Sequence, residues 1–225
     1  MLRRSAIVFA VLVSACGGSG GSDEPLPPPE ALIASSAEAM GSVETASFKM
    51  ERGGAPILIS GLRFDSAEGI YVAPDSSRAV LEVKAGDLSV ALATISIAER
   101  TWLTNPLTGE WEELTPGTGF NPSIVFDNSL GWVPLLTEDL SDPVVDSRRD
   151  GAYLMTGTVA AQRVDVLTAG LAGGADVPIT LQLDVETGHI LRAEFTTEGE
   201  EGASDWVIVL GNFDVPATVE PPPET

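Results

Sequence analysis

The chain has 225 residues, of which 33 are acidic and 12 are basic, and its formal net charge is −21 at pH 7. This acidic excess argues against nucleic-acid binding, which needs clustered Lys and Arg to neutralise phosphates, and against attachment to anionic headgroups through a basic patch. A hydrophobic content of 44% is typical of a globular chain. Because Cys16 is the only cysteine, no internal disulfide forms, and the fold must be stabilised by its apolar core.

The first sixteen residues have the pattern of an export signal. A positively charged start (Arg3, Arg4) is followed by the apolar run 5–13 and by two small residues before Cys16. The apolar run is far shorter than the roughly 20 residues that span a bilayer, so a transmembrane helix is the weaker interpretation. Residues 13–16 also resemble a bacterial lipobox, in which the cysteine is acylated and becomes the new N-terminus. An ordinary secretory signal that happens to contain a cysteine is the alternative.

We therefore predict a lipoprotein that is anchored to the cell membrane through the acylated Cys16 and lies on the extracytoplasmic face. Four segments are expected, and the low-complexity composition of the second and the last indicates a flexible tether and a disordered tail. They are a signal peptide (1–15), the lipidated cysteine with its Gly/Ser/Pro tether (16–29), one domain (30–215) and a Pro/Glu-rich tail (216–225).

The domain begins with a helix and continues with strands. Residues 30–40 have apolar positions at helical spacing, with Pro29 suited to the first turn and Gly41 to the end. From Thr45 onward the helical spacing of apolar residues ends. Short segments rich in β-forming residues follow, separated by Gly, Asp, Pro or Asn. The predicted strands of this first half are Ala46–Glu51, Ile57–Phe64, Gly69–Ala73, Ala79–Lys84, Leu88–Ile97 and Arg100–Leu103.

An apolar insert at residues 119–141 interrupts this pattern. Asn121 is suited to cap a short helix with Pro122 in its first turn, and Pro134 is suited to start a second helix that reaches Leu140. Strands then resume, with a helix at Arg163–Leu171 between them and a hairpin turn at 184–189. These later strands are Ala152–Val159, Ile179–Val185, Ile190–Thr196 and Trp206–Leu210. The pattern predicts an α+β fold, a long antiparallel sheet with a few helices packed on one side.

The sequence offers little to catalysis. His189 is the only histidine and lies at the end of the predicted hairpin turn, where we expect an exposed residue, so we predict neither a Ser-His-Asp triad nor a multi-histidine metal site. The acidic groups Asp139, Asp142 and Asp146 and the acidic loop 198–205 lack the spacing of a calcium loop, and we interpret them as solvated surface. We predict a protein that is not an enzyme and needs no metal or cofactor.

Three stretches, in this order and spacing, resemble the LppX/LprG-type actinobacterial lipoproteins: PPPEALIASSAEAMGSVETASFKME, GFNPSIVFDNSLGWVPLL and ADVPITLQLDVETGHILRAEF. The resemblance implies a half-open β-barrel, related in shape to the LolA/LolB carriers, in which a curved antiparallel sheet wraps a central helical segment. It also implies a hydrophobic cavity for the acyl chains of a lipid or glycolipid, carriage of that ligand across the envelope, and a membrane transporter as a partner.

The resemblance and the strand alternation together give candidates for the cavity lining. The strands contribute one apolar face each, and the insert contributes its apolar residues. The predicted lining is Leu81, Val83, Leu88, Val90, Leu92, Ile124, Val125, Trp132, Leu135 and Leu136. An envelope scaffold with a packed barrel is the main alternative and an envelope hydrolase the least supported one. A packed interior near the insert favours the scaffold, and an open apolar pocket favours the carrier.

Overall fold

The computed structural model describes residues 25–59, 61–116 and 118–223. The predicted signal peptide, Cys16 and most of the tether lie outside the described residues, so those assignments stay predictions. No helix in these three ranges is long and apolar enough to cross a membrane.

The described chain folds as one sheet of twelve strands with three α-helices. The helices are α1 (Pro29–Gly41), α2 (Trp132–Pro134) and α3 (Ala161–Leu167), with a 3-10 helix at Pro122–Phe126 and a π-helical turn at Leu135–Asp139. The strands are β1 (Thr45–Gly54), β2 (Leu58–Ile59), β3 (Leu62–Val72), β4 (Ser76–Ala85), β5 (Leu88–Ile97), β6 (Arg100–Thr104), β7 (Trp111–Glu113), β8 (Leu140–Arg149), β9 (Ala152–Val159), β10 (Val177–Asp184), β11 (Ile190–Gly199) and β12 (Gly202–Gly211).

The sheet is antiparallel, curved and unclosed. Its strand order is β7-β6-β5-β4-β3-β1-β12-β11-β10-β9-β8, with β2 paired only to β3. Strands β1 and β12 join the two halves of the chain in the middle of the sheet, where Ser47 pairs with Gly211 and Gly54 with Ser204. Because β7 and β8 end the order and do not pair within the described residues, the sheet forms a half-open barrel rather than a closed one.

One face of the sheet carries the core. Buried and exposed residues alternate along most strands, as in β4, where Ala79, Leu81 and Val83 are buried and the residues between them are exposed or half-buried. The buried set packs against α1, the insert and α3 in a single apolar cluster. The predicted fold class, an antiparallel sheet with helices in its concave side, is therefore confirmed.

Three parts of the sheet differ from the sequence prediction, and one of them, the short strand β7, was not predicted. The predicted strand Ile57–Phe64 is divided at the Gly61 turn into β2 and the beginning of β3. The predicted strand Gly69–Ala73 is the end of the same β3, in which a bulge between Phe64 and Ser66 shifts the alternation that marks a strand. The second predicted helix ends at Asp139, and Leu140 begins the edge strand β8, which the sequence analysis missed. Asp142 and Pro143 look like a turn there, and the register of β8 shifts at this point.

Candidate functional site

The insert between β7 and β8 covers the concave face through short, locally capped helical turns. The side-chain oxygen of Asn121 accepts hydrogen bonds from the Ser123 N–H at 3.1 Å and from the Ser123 hydroxyl at 2.6 Å, which caps the 3-10 helix as predicted. Pro122 occupies the first turn, where its missing N–H is not needed. This helix contacts β3, β4 and α3, so it lies between the two sides of the open barrel.

A tight turn follows the 3-10 helix. The Asp127 carboxylate accepts hydrogen bonds from the Ser129 hydroxyl at 2.6 Å and from the N–H groups of Ser129 and Leu130 at 2.7 and 3.0 Å. These hydrogen bonds, first that of the Ser129 hydroxyl, lower the pKa of Asp127 below its ordinary value although partial burial opposes them. The turn therefore holds an ionised carboxylate where the chain turns toward α2.

A buried ion pair joins the end of the insert to α3. The Nε and Nη2 atoms of Arg163 lie 2.8 and 2.5 Å from one Asp139 oxygen, and Gln162 donates to the other oxygen at 2.8 Å. Both charged side chains are less than a tenth exposed. Asp139 is therefore not part of a solvated acidic surface, as the sequence analysis expected, but fixes the position of α3 beside the insert.

The structure brings nine of the ten predicted lining residues to the concave core. Seven of them are buried: Leu81, Val83, Leu92, Val125, Trp132, Leu135 and Leu136. Val90 and Ile124 are half-buried and pack against the same cluster. Their contact with a lipid stays a prediction.

The structure corrects the prediction for Leu88. This side chain has the same strand parity as Val90 and Leu92, but it is 65% exposed. It pairs with Ala85 at the hairpin end of β4 and β5, which leaves it in solvent instead of in the core. The alternation along a strand predicts which face of the sheet a side chain lies on. It does not predict whether other elements cover that part of the face.

Two clefts flank the 3-10 helix. The α3 cleft, about 590 Å³, lies between the β5–β6 turn, the insert and α3, and its walls include Glu99, Thr101, Ile124, Asp165 and Val166. Of the predicted lining residues, Ile124 borders this cleft.

The α1 cleft, about 500 Å³, lies at the end of α1, and its walls include Gly41, Glu44, Tyr71, Phe126 and Asp127. Both clefts fall in the range of roughly 300–1,000 Å³ that is typical of small-molecule sites.

An aromatic cluster in the concave core was not predicted from the sequence. Phe64 lies with its ring centroid 6.0 Å from Phe120 and 6.2 Å from Trp206, and Trp206 lies 6.2 Å from Phe195. The indole N–H of Trp206 donates to the Thr197 hydroxyl at 3.0 Å, so this buried polar group is satisfied. These residues come from four separate segments, and only the register of the sheet brings them together.

The described residues contain no group of three or more His, Cys, Asp or Glu side chains that could hold a metal ion. His189 stacks on Phe213 at a centroid distance of 4.1 Å, and this packing gives it a structural role.

Comparison with known proteins places this architecture in a family. The model of the LppX_LprAFG lipoprotein family matches residues 28–219. The chain belongs to this family. The match covers α1, the whole sheet and the insert, which agrees with the resemblance of the three sequence stretches.

Solved structures share this LppX_LprAFG fold. LprF from Mycobacterium bovis aligns with a TM-score of 0.66 and 19% identity over 88% of this chain and 98% of that one. The lipoprotein LppX from Mycobacterium tuberculosis aligns with a TM-score of 0.58 and 18% identity over 85% and 99%. A LolA superfamily protein from Nitrosomonas europaea matches at a TM-score of 0.30 and 11% identity over 86% and 96%, too low to support an argument. No curated protein sequence matches this chain significantly.

Proposed function

We propose that this chain is a membrane-anchored, non-enzymatic lipoprotein that binds the acyl chains of a lipid or glycolipid in its concave interior and carries the ligand across the cell envelope. The family is a lipoprotein family, and its fold is consistent with lipid binding. The anchor is the acylated Cys16, and the tether 16–29 lets the domain move away from the membrane. A membrane transporter that supplies the lipid is part of this proposal.

The observation that supports binding most strongly is the unclosed sheet with its apolar concave face. A sheet that ends at β7 and β8 is open on one side, and α1, the insert and α3 pack against its concave face. Burial of an acyl chain contributes roughly 0.8 kcal/mol for each methylene group, which gives affinity without specific polar contacts. The α3 cleft, with Ile124 in its wall, is the entrance that this proposal assigns.

One observation favours the alternative, an envelope scaffold with a packed barrel. Trp132, Leu135 and Leu136 are at most 2% exposed, so the centre of the insert is packed against the sheet. A lipid chain would have to displace part of this packing, whereas a scaffold needs no such movement. The two functions therefore differ in whether the interior opens.

An assay of lipid transfer between vesicles distinguishes the carrier from the scaffold. We expect the full chain, produced with Cys16→Ser so that no acyl group is attached, to accelerate transfer of a fluorescent diacylglycerol from donor to acceptor vesicles. Ile124→Asp places a carboxylate at the entrance, where an apolar chain must pass, and should slow transfer by about tenfold. Leu88→Asp, at an exposed apolar position outside the core, is the matched control and should leave transfer unchanged.

Absence of transfer by the parent protein would favour the scaffold. Equal loss in both aspartate variants would contradict the assignment of the entrance.

A further inference from the structure

A row of four hydroxyl side chains crosses the concave face beneath the insert. Tyr71 of β3 pairs with Ser77 of β4, Ser77 pairs with Ser96 of β5, and Ser96 pairs with Thr101 of β6. Residues directly opposite in an antiparallel ladder point to the same face, so the four side chains form one line across neighbouring strands. We call Tyr71, Ser77, Ser96 and Thr101 the hydroxyl row. At about 4.8 Å per strand it extends roughly 14 Å.

The hydroxyl row is buried in a face that is otherwise largely apolar. Its members are 3, 1, 0 and 7% exposed. On β4 the next inward residues are Ala79 and Leu81. On β5 they are Thr94, whose hydroxyl donates to the Phe120 carbonyl at 3.5 Å, and then Leu92. The Tyr71 hydroxyl donates to the Pro74 carbonyl at 3.1 Å, and the Ser96 and Thr101 hydroxyls are 3.1 Å apart. In the part of the chain that the structure describes, the Ser77 hydroxyl has no partner. A buried hydroxyl without a partner lowers stability, so a ligand that supplies the partner would gain from it.

Each end of the hydroxyl row reaches one of the two clefts. Tyr71 is in the wall of the α1 cleft, and Thr101 is in the wall of the α3 cleft. The 3-10 helix covers the Tyr71 end of the row, since the ring of its Phe126 stacks on Tyr71 at a centroid distance of 4.3 Å and an interplanar angle of 7°. The two ends of the row thus reach different clefts, and Ser77 and Ser96 between them are buried.

The charges at both openings are negative. Glu99 and Asp165 line the α3 cleft, and Glu44 and Asp127 line the α1 cleft. Among the described wall residues of the two clefts there is no lysine or arginine. An anionic group would have no counter-ion in either cleft, whereas an uncharged hydrogen-bond acceptor would meet hydroxyl donors in the row.

We propose that the hydroxyl row is the subsite that binds the uncharged ester carbonyls of the lipid, while the acyl chains occupy the apolar remainder of the concave face. This inference rests on the proposed lipid-binding function and assigns the part of the interior that recognises the polar portion of the ligand. When the insert moves aside, Ser77 donates its hydroxyl to a carbonyl oxygen, and Ser96 and Thr101 donate as well. Recognition then depends on hydrogen bonds and not on charge.

Two apolar probes of equal length test the subsite, methyl hexadecanoate and a hydrocarbon without the ester. Each is titrated against the full chain carrying Cys16→Ser, with displacement of a fluorescent apolar dye as the readout. We expect the ester to bind about tenfold more tightly, the difference that one or two hydrogen bonds give. Ser77→Ala should reduce this preference to roughly threefold or less without lowering the melting temperature, because that hydroxyl has no partner to lose.

Ser36→Ala is the matched control. Ser36 of α1 is also buried and its hydroxyl also lacks a partner in the described residues, but it lies outside the row. This variant should keep the full preference for the ester. Equal affinity for ester and hydrocarbon in the parent protein would overturn the subsite while leaving lipid binding intact. Failure of both probes to displace the dye would overturn the proposed function as well.

Discussion

At the scale of single residues, the ion pair between Asp139 and Arg163 has the strongest consequence for the site. The two side chains are 9 and 8% exposed, so each charge depends on the other for compensation. The sequence does not reveal this pair. Residue 139 looks like one of several surface aspartates, and only the return of the chain through β8 and β9 places it beside α3.

Removal of one partner should therefore be costly. We expect Asp139→Asn to lower the free energy of unfolding by about 3 kcal/mol, because it leaves the Arg163 guanidinium buried without a counter-charge. Glu113→Gln, which breaks the exposed pair with Arg100, is the control and should have a much smaller effect. Urea denaturation of both variants measures the difference. Similar losses of stability in the two variants would show that burial does not matter at residue 139.

At the scale of elements, the sequence predicted the position of the insert well, but it did not predict where the second helix of the insert ends. Its apolar character and the cap at Asn121 were readable, because a cap and a proline have local signatures. The end of its second helix was not, since Leu140 continues the helical spacing and yet pairs with Val159 in the sheet. Likewise α1 and the hairpin with Gly188 at φ +78° were predictable from local signals, whereas the bulge in β3 depends on its partner strand.

The insert also contains a close backbone approach. A Cβ atom at Gly131 would lie 1.9 Å from the Val125 carbonyl oxygen, so the 3-10 helix and α2 fit together only with glycine there. We expect Gly131→Ala to separate these elements and to lower stability by about 1–3 kcal/mol. Gly41→Ala is the control, because the nearest atom to its Cβ, in Val133, is 3.4 Å away. Thermal unfolding of both variants provides the measurement, and a Gly131→Ala protein as stable as the control would contradict the packing described here.

The Asp127 turn makes the insert sensitive to acid. Since the hydrogen bonds of Ser129 lower the pKa of Asp127 in the folded state, the ionised carboxylate stabilises the fold at pH values above the unfolded pKa, about 4. That contribution is lost as the pH falls through the lower folded-state pKa. The parent protein should have a higher melting temperature than Asp127→Ala at pH 7. This difference in melting temperature should decrease as the pH falls below 4. A difference that is constant with pH would mean that the carboxylate charge has no part in the turn.

At the scale of the whole molecule, the sequence showed the acidic charge of the domain and predicted its α+β fold with an antiparallel sheet. The sequence predicted which face of the sheet a lining residue lies on, but not how deeply the residue is buried. Leu81 and Leu88 look alike in sequence, but one is buried in the core and the other is exposed at the hairpin end. The hydroxyl row could not be predicted, because it depends on the register of four strands.

The most direct test of lipid binding is to measure the lipid that co-purifies with the protein from its host. The full chain with Cys16→Ser, expressed in its own host and purified without detergent, can be measured by native mass spectrometry followed by lipid extraction. The proposed function predicts close to one acyl lipid per protein, with an uncharged ester-containing polar portion. A protein that is free of lipid, and stays so after incubation with a lipid extract of the host, would contradict the carrier and favour a packed scaffold.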